Sequence, residues 1–174
     1  MEEEKVILVD ADDNEIGEMP KQECHVKGLL HRAFSVFVFN TAGELLLQRR
    51  AMTKYHSPGL WTNTCCSHPR KGETTLNAAK RRLMEEMGVE CELVEITHFT
   101  YKADVMCGLT EHEIDHVFVG CTDRKPVIDK SEVDSWKYVS AEFLRKDVSE
   151  NPQNYTEWFK IILDNVMKMT DMLK

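Results

Sequence analysis

The loop and helix between Gly72 and Gly88 constrain this chain more than any other segment. Leu76, Ala79, Leu83 and Met87 recur at helical spacing and define one apolar stripe over Thr75 to Met87. Gly88 follows at once and supplies the left-handed residue that ends a helix. Glu86 lies at the edge of the stripe, one turn after Arg82. A carboxylate turned half toward a core is costly unless it meets a cation. On an arbitrary helix this spacing would be a plain i,i+4 ion pair, and a metal ion could equally supply the cation. Immediately upstream, Asn63-Thr64-Cys65-Cys66-Ser67-His68-Pro69 brings a thiol and an imidazole to the entrance of this helix.

Composition narrows the function classes. The 174 residues make one domain over 1–174, and 42% hydrophobic residues suffice for a sizeable core. A formal charge of −8 argues against a nucleic-acid partner, because such binding neutralises phosphates with a basic surface. No apolar run approaches the roughly 20 residues that span a bilayer, and Met1-Glu2-Glu3-Glu4-Lys5 is acidic where a signal peptide would be basic. Asp171-Met172-Leu173-Lys174 carries no peroxisomal tripeptide. A cytoplasmic protein without membrane partners is expected, as a monomer or a homodimer. The six cysteines, at 24, 65, 66, 91, 107 and 121, include no CxxC pair and read as reduced thiols.

Val6 to Val9 reads as a strand, and Ala33 to Phe39 with Leu45 to Arg49 as a hairpin around Asn40-Thr41-Ala42-Gly43. Glu113 to Cys121 and Ser135 to Val139 read as further strands. Besides Thr75 to Met87, helices are expected over Ala141 to Lys146 and over Asn154 to Leu173, where Tyr155, Trp158, Phe159, Ile162, Val166 and Met169 recur at helical spacing. The fold class is mixed α/β (α+β), one mixed sheet packed between helices.

Candidate ligands are scattered. His25, His31 and His68 show no local metal-site spacing, and His56, His98, His112 and His116 compete with them. Glu111 and Glu113, two apart at the start of a strand, point to one face about 7 Å apart, with His112 on the other face. Three imidazoles and two carboxylates would suit Mn, Zn, Fe or Mg. Cys66 stands two residues before His68-Pro69, a placement that suits a proton carrier, while Cys65 faces the other way as a packing residue.

Aligned on Gly88, the loop and helix resemble the Nudix box, with Glu73, Arg81, Leu83, Glu85, Glu86, Gly88 and Val89 at its expected positions. Ser67 replaces its leading glycine, and Arg82 replaces a glutamate found in the hydrolases. Together with Gly28-Leu29-Leu30-His31-Arg32-Ala33-Phe34-Ser35, Trp61 to Pro69 and Gly108-Leu109-Thr110-Glu111-His112-Glu113-Ile114-Asp115, the chain is similar to the type I isopentenyl-diphosphate isomerases of the Nudix superfamily, from about Val6 to about Ile162. The resemblance implies a Nudix-like sheet and interconversion of isopentenyl and dimethylallyl diphosphate without flavin. It implies that His25, His31, His68, Glu111 and Glu113 bind one Mn²⁺, Zn²⁺ or Mg²⁺. Glu86 and the main-chain carbonyl of Cys66 are implied to support a Mg²⁺ that bridges to the diphosphate. Lys21, Arg50, Lys54, Ser67 and Arg82 are implied to hold this small-molecule substrate, a task for which bidentate guanidinium donors are suited. Cys66 and Glu113 would be the opposed proton carriers, with Tyr101 as relay and Trp158 as the aromatic face that stabilises a carbocation, worth roughly 0.5 to 2 kcal/mol.

Overall fold

The computed structural model describes residues 3–172. Its sheet is mixed. Strands β1 (Lys5–Val9) and β2 (Glu15–Pro20) form an antiparallel pair, and the short helix α1 (Lys21–Lys27) follows. The central strand β3 (His31–Phe39) pairs in parallel with β8 (Leu109–Cys121), from His31 opposite Glu113 to Phe39 opposite Cys121. Beyond β8 lies the antiparallel β7 (Leu93–Val105), and β4 (Leu45–Arg50) pairs with β9 (Val133–Val139).

The turn over residues 40–44 forms as expected, with Asn40 N donating to Glu44 O and Gly43 N to Asn40 O. The hairpin expected from it does not. β3 and β4 share only the pair Phe39 and Leu45 before they splay. Residues 61–67 fill the gap as two short strands, β5 (Trp61–Thr62) on β4 and β6 (Cys65–Ser67) on β3. Thr64 makes the wedge stable: its Oγ1 accepts from Val38 N at 2.9 Å and donates to Leu46 O at 2.6 Å. Backbone groups that a hairpin would pair internally are thus satisfied by the inserted segment.

Alternation along the strands divides the core between the two sheet faces. Phe34, Val36, Val38 and Phe118 pack with Ala78, Ala79, Leu83 and Met87 of α2 (Thr75–Met87). Phe37, Leu47, Tyr101 and Val117 pack on the other face with Trp158, Phe159, Ile162 and Val166 of α4 (Glu157–Met172). Helix α2 has the expected bounds. Thr74 Oγ1 caps it by accepting from Asn77 N, and Gly88 ends it at φ 60°. The last helix is shorter than expected: Pro152 to Asn154 form a 3-10 turn, and Tyr155 is extended, bridging to Trp61. The expected end at Leu173 lies outside the described residues. Helix α3 runs on to Glu150 (Ala141–Glu150).

Candidate active site

The five expected metal ligands come from separate elements and meet on the α4 face. His25 stands on α1, His31 opens β3, His68 follows β6, and Glu111 and Glu113 project from alternate positions of β8. One ligand atom from each lies within 4.8 Å of all the others. Nε2 of His25 and His31 are 3.3 Å apart, and Glu113 Oε1 is 3.2 Å from His31 Nε2 and 3.0 Å from His68 Nε2. His31 Nδ1 lies 2.9 Å from the Leu29 carbonyl oxygen, and its Nε2 faces the cluster. Glu111 Oε2 is buried, accepts no hydrogen bond and lies 3.5 Å from His25 Nε2. Ring nitrogens and carboxylate oxygens gathered in this way fit a divalent cation with nitrogen and oxygen ligands.

Electrostatics follow from burial and crowding. Burial and the imidazoles of His68 and His31 drive the His25 pKa down to about 3. His31 moves the other way: burial opposes its charge, but Cys24 and Glu113 outweigh it. Glu113 also resists burial, held well below the usual carboxylate range by hydrogen bonds from His31 and His68. Burial and the charge of Glu113 push Glu111 well above that range. The neighbouring thiol of Cys66 is raised to about 12, chiefly by burial, so it is held as S–H at neutral pH.

A cavity of about 260 Å³ opens above the cluster, lined by Cys66, Ser67, His68, Tyr101, Glu111, Glu113 and Trp158 and, toward its mouth, by Lys21, Arg50, Lys54, Arg82 and Glu86. His25 and His31 are buried and do not line it. Tyr101 is the cross-strand partner of Glu113, and its hydroxyl donates to Glu113 Oε2 at 2.6 Å. Adjacent residues of β6 face opposite ways: Cys65 is buried among the α2 contacts, and Cys66 packs toward the α4 side. The Arg50 guanidinium stacks 5.3 Å from the centre of the Trp158 ring. Every expected diphosphate cation has a partner: Lys21 pairs with Glu4, Lys54 with Glu132, Arg50 donates to the His56 carbonyl, and Arg82 meets Glu85 and Glu86.

The NUDIX domain family model matches residues 29–159. The chain is 52% identical over 164 residues to the isopentenyl-diphosphate Delta-isomerase of Serratia proteamaculans, covering 94% of this chain and 92% of that one. The chain belongs to the isopentenyl-diphosphate Delta-isomerase branch of the Nudix family. A second relative, isopentenyl-diphosphate Delta-isomerase 2 of Aromatoleum aromaticum, is 51% identical over 95% of this chain and 87% of its own length. Among solved structures, DR0079 from Deinococcus radiodurans superposes with a TM-score of 0.71 at 19% identity, over 85% of this chain and 90% of that one. The MutT protein of Methanosarcina mazei gives 0.66 at 17%, over 81% and 95%. These two likenesses show the Nudix fold.

In this Nudix member the glutamates of α2 are tied up by arginines. Arg81 pairs with Glu73, while Arg82 reaches Glu85 at 2.8 Å and Glu86 at 2.5 Å. The other oxygen of Glu86 accepts from Gln48 Nε2 at 2.9 Å, and Gln48 also donates to Thr64 O. Tyr55, Glu132 and Asp115 escaped the reading of the sequence, and His56 entered it only as a competing metal ligand. The Tyr55 hydroxyl is 2.9 Å from His25 Nδ1, and His56 Nε2 is 3.3 Å from Glu111 Oε1, so the loop after β4 braces two of the five ligands. No spacing announces either. Glu132 sits against Lys54 and Arg82 at the pocket mouth. Asp115, buried beside Glu113, accepts from Ser35 Oγ at 2.7 Å, and its position two residues after Glu113 is the signal that would have found it. His112 instead turns to the Gly28 carbonyl.

Proposed function

We propose that this chain interconverts isopentenyl and dimethylallyl diphosphate by adding a proton at one carbon and removing one from another. One observation carries the reading: Cys66 and Glu113 project into a single pocket from β6 and β8, the strands on either side of β3. The names borne by relatives such as the Serratia proteamaculans protein support it. Bound in the His25, His31, His68, Glu111 and Glu113 cluster, a Mn²⁺, Zn²⁺ or Mg²⁺ ion would set the basicity of Glu113, and Glu86 with the Cys66 carbonyl would hold Mg²⁺ against the diphosphate. Cys66 presents a protonated thiol on one side of the five-carbon unit. Glu113 presents a carboxylate on the other, and Tyr101 orients it and can relay a proton. Trp158 covers the pocket, which must be dry because water would quench a tertiary cation. Lys21, Arg50, Lys54, Ser67 and Arg82 hold the diphosphate, exchanging Glu4 and Glu132 for its oxygens. The reading needs no flavin. It places the enzyme in the cytoplasm, as a monomer or homodimer with neither nucleic acid nor membrane as partner; among the described residues no helix is long and apolar enough to cross a membrane.

Proton NMR of isopentenyl diphosphate with the pure protein and Mg²⁺ in deuterated water tests this directly. Dimethylallyl product with deuterium in a methyl group is expected from the wild type, and none from Cys66→Ala. Release of inorganic phosphate or a monophosphate with no isomer formed would replace isomerisation by hydrolysis.

A further inference from the structure

Two histidines outside the pocket carry a second reading. His98 on β7 and His116 on β8 are cross-strand partners, their rings nearly parallel at 28° with centroids 5.4 Å apart. They lie on the sheet face opposite Glu111 and Glu113, because side chains alternate along β8. A register shift between Glu95 and Thr97 sets Glu95 opposite Phe118, one step along the same face from His116. Glu95 Oε1 is 2.7 Å from His116 Nδ1 and 3.9 Å from His98 Nδ1. One ligand atom from each of the three residues lies within 4.8 Å of the other two.

His116 is held on both ring nitrogens by carboxylates, since its Nε2 is also 2.8 Å from Asp13 Oδ2. A neutral imidazole carries one N–H, so it can donate to one carboxylate only and turns a lone pair on the other. Asp13 is fixed independently by Arg32, whose Nε donates to Oδ1 at 2.7 Å. With Asp13 accepting from Nε2–H, the Nδ1 lone pair faces Glu95 Oε1, 2.7 Å away. Carboxylate, imidazole and vacant nitrogen in that order are the arrangement that orients a metal-binding histidine.

We propose that Glu95, His98 and His116 form a second metal site, distinct from the pocket, with Asp13 as a positioning residue for His116. Two imidazoles and one carboxylate favour a borderline transition ion such as Zn²⁺, Ni²⁺ or Cu²⁺ over Mg²⁺ or Ca²⁺, and three protein ligands leave a coordination position for water. His98 is 63% exposed and His116 12%, so the site opens to solution beside α2, on the face of the sheet that Phe118 shares.

Equilibrium dialysis of the full chain against Zn²⁺, with bound metal counted per chain, decides the matter. The wild type should bind one Zn²⁺ more than His98→Ala, a substitution at an exposed position, and His98→Ala should isomerise at the wild-type rate. His25→Ala, altered in the pocket, should keep the surface ion. Asp13→Asn should keep it with affinity about 10- to 100-fold weaker. Equal Zn²⁺ counts in the wild type and His98→Ala would overturn the site.

Discussion

A thiol that serves as an acid must keep its proton until the substrate arrives, and the surroundings of Cys66 do that by burial. The raised pKa of about 12 leaves far less thiolate at neutral pH than an ordinary cysteine, near 8.5, would carry. Since the thiolate is the nucleophile, iodoacetamide should label the exposed Cys107 and Cys121 first at pH 8. Labelling of Cys66 should accelerate as the pH rises toward its own pKa. Peptide mapping by mass spectrometry over a pH series checks this, and rapid labelling of Cys66 at neutral pH would show a thiolate instead. At this scale the sequence was most readable where chemistry is bound to residue type. His25, His31, His68, Glu111 and Glu113 do converge, and Cys65 and Cys66 do face opposite ways. Tyr55 and the bracing role of His56, which was weighed only as a ligand, were not readable, because their contacts with His25 and Glu111 join residues 30 and 55 positions apart through the course of a loop.

Elements were readable in proportion to how fully one face of each is buried. α2 was found with its bounds because Ala79, Leu83 and Met87 mark its buried stripe and Gly88 its end, although Leu76, expected on that stripe, is exposed. β7 was missed over 13 residues because only Leu93 and Tyr101 in it are buried, so little apolar alternation marks it. β5 and β6 are two and three residues long and exist because β3 and β4 splay. Gly88 shows how tightly a helix end can be specified. It sits at φ 60°, and a Cβ there would come within 2.4 Å of the Val127 carbonyl oxygen. The strand-like segment after β8 closes on α2 at that point, with Val127 N donating to Met87 O and Asp129 N to Glu86 O. Gly88→Ala should therefore destabilise the protein by more than the roughly 1 to 2 kcal/mol that left-handed backbone costs a residue with a Cβ. Urea unfolding measures it. Because Glu86 lies at the same helix end, isomerase activity should fall more than the folded fraction does.

Across the whole molecule, the pocket cluster ties the N-terminal part of the chain to the sheet. His25 on α1 is the one ligand outside the central sheet region, and its side chain is buried against residues of β3, β8 and the loop after β4. A metal ion there would bind the folded chain and not the unfolded one, because the five ligands span residues 25 to 113. Stability should then rise with free metal by RT ln(1 + [M]/Kd), about 2.7 kcal/mol at one hundred times Kd. The pH dependence has a definite sign. Ligand imidazoles must be neutral, so protons compete as pH falls, first at His31, whose pKa Cys24 and Glu113 raise above the ordinary histidine range, and the metal-dependent increment should shrink as pH falls. Without metal, His25 moves in the same direction: with its pKa held near 3 it stays neutral while the unfolded chain takes up a proton, so its contribution to stability falls between pH 6.5 and 3, whereas His31, raised by Cys24 and Glu113, contributes with the opposite sign. Thermal melts of chelated and Mn²⁺-supplemented protein at pH 7.5 and 5.5 should show a large gap at the higher pH and a small one at the lower. In His25→Ala the gap at pH 7.5 should close. A Tm that ignores Mn²⁺ in the wild type would mean that the five side chains are held together by their own hydrogen bonds and not by an ion.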